Sequence, residues 1–428
     1  MQLLSSRRLR AAAVGTVAFA LVLTGCSSEE TVTYTPPAQA DGAFPDETVS
    51  ALQAAVDNAL VASGASGAIA GVWAPWSGSW VTATGTQERD GGGELSTDMS
   101  FRIADVTRMM SCDVLYALAD EGRVELDAPV SEYVSGVADV DDATLLDLCN
   151  GTSGLGSSEP VAKNAWLNTP QRQWGPLELA SYGLGQARVV PHDTFRDSDA
   201  GYLLLGLAIE RIGGLPASEL IEEYVTAPMG LGQTSLPGDK AAKPSETGPV
   251  MNGHYMNLVE GGYDCAAPVD ITTLSSSSGF TDSGAVSTIE ELGRYVQASA
   301  AQALRTTKEP DRYGAPLPAA AEAPSWFQAT GGAYLAGSLI GQHGWTPGYA
   351  TAAYSDPANG FTVAVTLNDS TAGSLFAQQL AWELAAIASK VPAAAGETAP
   401  EFGLPFTAEQ YHEANTAAAL TCAAPPAE

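Results

Sequence analysis

Residues 100–119 read SFRIADVTRMMSCDVLYALA, and the stretch changes character at position 105. The short apolar run Phe101-Arg102-Ile103-Ala104 leads into a predicted helix over about 105–121, which Gly122 stops. Asp105 stands at the helix start, where Asp is a favoured cap worth about 1 kcal/mol over Ala and where the helix end favours a charged carboxylate. Arg108 follows one turn later, at the spacing of an i,i+3 pair.

On the N-terminal side of this helix, residues 46–62 carry Val49, Leu52, Val56, Leu60 and Val61 at helical spacing. Residues 67–74 and 79–85 read as a hairpin of two strands about a turn at 75–78. A polar, irregular stretch with helical pieces runs to about 279, and within it 200–212 is a strongly apolar helix ended by Gly213-Gly214. Three strands are predicted at 333–340, 349–354 and 361–367, then a helix over about 372–389. Residues 391–428 are an Ala/Pro/Glu-rich tail laid over the surface, and no internal repeat is present. Strands at both chain ends with helices between predict an α/β plus α fold. One antiparallel sheet is built from the two ends and flanked by helices, with a helical insertion lobe at about 105–280 inside a domain spanning 46–390. A cleft between two lobes is a usual ligand site.

Six segments, in order, carry a resemblance. They are residues 100–119, GRVELDAPVSEYV at 122–134, LCNGTSGL at 148–155, FRDSDAGYLLLG at 195–206, SGAVSTIEEL at 283–292 and QHGWTPGY at 342–349. Together they resemble the β-lactamase and penicillin-binding-protein superfamily, in particular its D-alanyl-D-alanine carboxypeptidases and class C-like enzymes, over about 67–384. The resemblance implies the β-lactamase/transpeptidase-like fold. It also implies a serine nucleophile at a helix N-terminus, a lysine three residues on, a Tyr-x-Asn loop, and a Lys or His followed by x-Gly on a strand.

At the matching positions the residues differ. Asp105 stands for the serine, Arg108 for the lysine, Asp197 and Asp199 for the Tyr and Asn, and Gln342 for the His, while Gly344 is retained. His343 fills the third-motif position instead if that loop is one residue shorter. A carboxylate attacking an amide would give a reactive anhydride, and a guanidinium does not lose its proton to serve as a base. Arg108 can instead make a bidentate pair with a carboxylate. Three aspartates facing one cleft repel each other. Trp345, beside the place where the family uses a backbone N–H as oxyanion donor, is expected to fill part of the site. Thr107 and Ser111 lie on the same helix, but no lysine follows either at the right offset, and the nearest of the chain's five lysines is Lys163.

The plain reading is a cap at Asp105, a helix pair with Arg108, and Asp197 and Asp199 as either solvated loop carboxylates or partners of Arg108. Two sharper readings stand beside it: an oxygen-ligand site for Ca²⁺ or Mg²⁺ at Asp105, Asp197 and Asp199, or two carboxylates sharing a proton for acid/base hydrolysis. His192, His254, His343 and His412 show no metal-ligand spacing, and no cofactor is expected.

The N-terminus is a targeting segment. Arg7, Arg8 and Arg10 precede an apolar run at 11–23, too short to span a bilayer comfortably. The run ends in Leu23-Thr24-Gly25-Cys26, which resembles the lipobox of bacterial lipoproteins. That resemblance makes 1–25 a signal peptide and Cys26 the lipidated first mature residue. Residues 26–45, with Thr35-Pro36-Pro37, read as a flexible tether, and two or more acyl chains would hold the protein stably. Removing 1–25 takes Lys+Arg from 19 to 16 against 49 Asp+Glu, a net charge near −33. So acidic a chain argues against nucleic acid and against a polybasic membrane patch.

Four further cysteines, Cys112, Cys149, Cys265 and Cys422, allow three pairings. Cys112–Cys149 and Cys265–Cys422 are expected, with free buried thiols as the alternative. The combined expectation is a catalytically inactive, lipid-anchored protein on the outer face of the cell membrane. It would present its cleft to a cell-wall or envelope protein ligand. A hydrolase with a recast acidic site, or a divalent-cation site, are the alternatives.

Overall fold

A computed structural model describes residues 34–89, 91–138 and 140–424; the expected signal segment and Cys26 lie outside the described residues. Strand β1 (Gly67–Ala74) turns through residues 75–77 into β2 (Gly78–Gly85). Six more strands come from the other end of the chain: β3 (Leu317–Pro318), β4 (Phe327–Thr330), β5 (Ala333–Ala336), β6 (Leu339–Thr346), β7 (Tyr349–Ser355) and β8 (Thr362–Leu367). The spatial order is β2-β1-β8-β7-β6-β5-β4-β3, with every neighbouring pair antiparallel. The two chain ends therefore meet where β1 pairs β8, from Ala68 opposite Leu367 to Trp73 opposite Thr362. The expected run 333–340 is two strands, because Gly337 takes a φ of +67° and turns the chain between them.

The sheet is covered on both faces, and strand periodicity divides its residues between them. Ala68, Ala70 and Val72 of β1, and Val363, Val365 and Leu367 of β8, pack with helices α1 (Asp46–Ser63) and α6 (Ser374–Ala388). Ile69 and Ala364, the alternate residues, face a second core with α2 (Val106–Asp120), α4 (Asp199–Gly213) and α5 (Ile289–Ala300). Helix α3 (Glu159–Asn168) lies in the same insertion lobe.

Both segments flanking the domain pack on it, the tail as expected. Of the tether, residues 34–45 lie along the domain. The Gln39 side chain donates to the carbonyls of Ala74 and Gly78, Tyr34 donates to Gln297, and Phe44 is buried. These contacts seat the described part of the segment read as a tether from its polar, Pro-containing composition. The tail forms a helix, α7 (Ala408–Ala417), against α6 and α1. Cys112 is bonded to Cys149 and Cys265 to Cys422, the pairing expected. No helix of the described residues is long and apolar enough to cross a membrane.

Candidate functional site

The residue before α2, Asp105, is set by a strained turn. Ala104 has a φ of +49°, a conformation that L-residues enter at a cost of about 1–2 kcal/mol and that clusters at functional sites. Asp105 takes the N-cap position, but its side chain makes no cap hydrogen bond. It turns instead to Arg108, with Oδ2 3.3 Å from Nη2. Arg108 is nearly sealed from solvent, and its guanidinium is held on three sides. Nη1 donates to Asp197 Oδ1 at 2.6 Å, Nε donates to Asp282 Oδ1 at 2.7 Å, and the Tyr202 ring lies 4.8 Å below. The three carboxylates hold the Arg108 proton well above its usual range against the opposing effect of burial.

Asp282 was not among the residues singled out in the sequence. It follows Ser275-Ser276-Ser277-Ser278-Gly279-Phe280-Thr281, and one charge in so neutral and small a run was the available signal. Its position is fixed by Phe280, another non-glycine residue at positive φ (+42°). Burial raises the carboxyls of Asp105, Asp282 and Glu159 above their ordinary range, with their acidic neighbours adding to the effect.

Asp199 is separated from this pairing. As the first residue of α4 it turns Oδ1 to two backbone donors, Ser158 N at 2.6 Å and Ala200 N at 2.7 Å. Its Oδ2 is buried with no hydrogen-bond partner. Burial first, then the Asp282 charge, push its carboxyl up to about 7. Between the two lobes lies a cavity of about 490 Å³ whose wall includes Asp105, Arg108, Asp197, Asp199, Asp282 and Trp345. Trp345 does not fill it. Its ring stands with Trp166, 6.4 Å between centroids, and carries the Lys163 ammonium 4.3 Å over its face.

On β6 the residues alternate sides. Gln342 is buried toward α2 and donates to the Gly332 carbonyl at 3.0 Å, so it braces the strand and does not line the cavity. Gly344 comes so close to α2 that a Cβ there would lie 2.2 Å from Asp105 Cγ. His343 points to the opposite face, stacked 4.6 Å from Tyr334 with Nδ1 2.6 Å from Tyr354 Oη. Burial lowers its pKa to about 3, so it is a neutral ring outside the cavity.

The hydroxyls on α2 are occupied. Thr107 Oγ1 donates to the Ala104 carbonyl at 2.7 Å, and Ser111 Oγ donates to the Thr281 carbonyl at 2.6 Å; both are fully buried. Ser198 caps α4 and donates to Gly156. Among the described residues no His, Cys, Asp or Glu side chains are grouped to hold a metal ion. The cation that Asp105 and Asp197 surround is Arg108 itself.

The sequence model of the Beta-lactamase family matches residues 52–386. The chain belongs to that family. It is 30% identical over 148 residues to the D-alanyl-D-alanine-carboxypeptidase/endopeptidase AmpH of Escherichia coli, covering 32% of this chain and 37% of that protein. Protein Rv1367c of Mycobacterium tuberculosis is 28% identical over 205 residues, covering 43% of this chain and 51% of that one. The chain thus spans about a third to a half of the length of these curated relatives. Among solved structures, a D-stereospecific amidohydrolase from Streptomyces sp. superposes with a TM-score of 0.65 at 24% identity, over 76% of this chain and 95% of that one. The octameric penicillin-binding protein homologue from Pyrococcus abyssi gives 0.66 at 18% identity, over 85% and 80%. At these identities the structural matches speak for the fold alone.

Proposed function

We propose that this protein is a non-acylating member of the Beta-lactamase family, a binding or scaffold protein whose cavity recognises a cell-wall or envelope ligand without cleaving it. The observation that carries the reading is the state of Arg108. A guanidinium locked among Asp105, Asp197 and Asp282 occupies the place where acyl transfer needs a base, beside a carboxylate where it needs a hydroxyl. The Thr107 and Ser111 hydroxyls on the same helix are committed to backbone carbonyls. In this reading a lipid on Cys26 holds the protein on the outer face of the membrane. The purified full chain is expected to take no covalent label from a fluorescent penicillin and to leave a chromogenic cephalosporin intact. Labelling that Asp105→Ala abolishes would overturn the reading. Cys26→Ala is expected to remove fatty-acid labelling and release the protein to the medium.

A second reading rests on Asp199. A carboxyl raised to about 7 in a cavity wall is poised to exchange a proton near neutral pH. It calls for hydrolysis of an ester, amide or glycoside that Asp199→Asn eliminates while folding is kept; no turnover across such a panel removes it.

A further inference from the structure

The cavity wall is not electrically balanced. It holds five carboxylates, from Asp105, Glu159, Asp197, Asp199 and Asp282, and two cations, Arg108 and Lys163, a formal charge of −3. Arg108 answers three of the five. Lys163 sits over Trp345 and lowers the Glu159 carboxyl only as a weaker influence than burial. Asp199 is left. It is 6% exposed, part of the wall, tied at Oδ1 to the backbone and unpartnered at Oδ2. A buried polar oxygen without a partner is destabilising, so a group that supplies a hydrogen bond is favoured there.

The upper wall has another character. Trp345 and Trp166 stand together, and Leu375, nearly half exposed, lies on the same cavity. The Trp345 face already carries one ammonium at 4.3 Å. Aromatic faces attract cations through the ring quadrupole, so this wall suits a positive group with apolar surroundings. A carboxylate or phosphate ligand would instead enter a cavity whose only guanidinium is spent.

We propose that the cavity binds a small organic cation, an amidinium or ammonium group carried on an apolar body, with the charge beside Asp199 and Glu159 and the body against Trp345, Trp166 and Leu375. The inference rests on reading the cavity as a recognition pocket and names the class of its ligand. Three probes of equal shape separate the charges: benzamidine, benzamide and benzoate, titrated into the purified full chain by calorimetry. Benzamidine is expected to bind, benzamide at least about tenfold more weakly, and benzoate not at all. Asp199→Asn is expected to weaken benzamidine about tenfold without lowering the melting temperature below that of the wild type. If that variant does not fold, Glu159→Gln at the half-buried rim carries the same test with a smaller loss. Benzoate binding as well as benzamidine, none of the three binding, or benzamidine affinity indifferent to both substitutions would each overturn the proposal. Penicillin acylation, by contrast, sinks the non-acylating reading and leaves the charge preference to be judged by these probes.

Discussion

Among the buried arginines that meet α2, Arg312 and Arg108 are answered differently. Arg312 pairs with Asp113 of α2, the two side chains 0% and 2% exposed. Its remaining donors go to the carbonyls of Gly331 and Met109, while Tyr295 and Ser299 donate to Asp113. One carboxylate answers one guanidinium, and the hydrogen bonds close. Arg108, one turn earlier on α2, faces three carboxylates, and Asp199 stands nearby with an oxygen unanswered. Burying charge is costly unless it is matched. A matched pair in the core is a strut. An excess of one sign around a cavity is what a site leaves when it waits for the other.

The comparison breaks most readily at the strut. Asp113→Ala strands the Arg312 charge in the core and is expected to lower unfolding free energy by about 3–5 kcal/mol, read by urea denaturation. A loss under about 1 kcal/mol would mean the core pair is no more binding than a surface one. Arg108→Met removes the one cation its three aspartates share, with an expected loss of about 3 kcal/mol at pH 8. Asp105 and Asp282, already raised by burial, rise further without it. Their folded pKa lies above the unfolded value, so stability returns as pH falls and they take up protons. A loss equally large at pH 5 would contradict the charge account.

Asp199→Asn tests the excess itself. The wild-type carboxyl moves from an ordinary 3.8 to about 7 on folding. Stability from this group is therefore full below about 4 and is lost as pH rises through about 7. Asn keeps the acceptor oxygen for Ser158 and Ala200 and carries no charge. The variant is expected to exceed wild type by about 2 kcal/mol at pH 8, with the gap closing by about pH 4, in melting curves across pH. Gly344→Ala is the smallest change. Its Cβ would press on Asp105 Cγ at 2.2 Å, at a cost of about 1–2 kcal/mol, and would loosen Asp105 from Arg108.

The helix at 105–121 and the sheet closed from both chain ends were legible because each rests on local pattern or on segments met in order, whereas the cysteines alone allowed three pairings and the observed one joins residues 157 apart. The contact between Arg108 and Asp105 was legible for the same reason, being one helical turn. Asp282 was not: it lies 174 residues from Arg108 in a segment with no motif of its own. The Arg312–Asp113 pair spans 199 residues and has no local signal either. Helix α5 begins inside the matched segment 283–292, so its periodic apolar face extends past the residues that carry the resemblance. The choice between Gln342 and His343 needed the register of β6, which sets them on opposite faces. Asp197 and Asp199, two residues apart, looked like a pair, yet the α4 start sends one to Arg108 and the other to the backbone.

The bond between Cys265 and Cys422 has a consequence for how the molecule comes apart. Residues 391–428 contain no Lys or Arg, and Lys390 is exposed just before them. A single tryptic cut there frees a peptide carrying α7 in sequence but not in space. On a denaturing gel the nicked chain migrates as one species until a thiol is added, and only then does the short fragment run free.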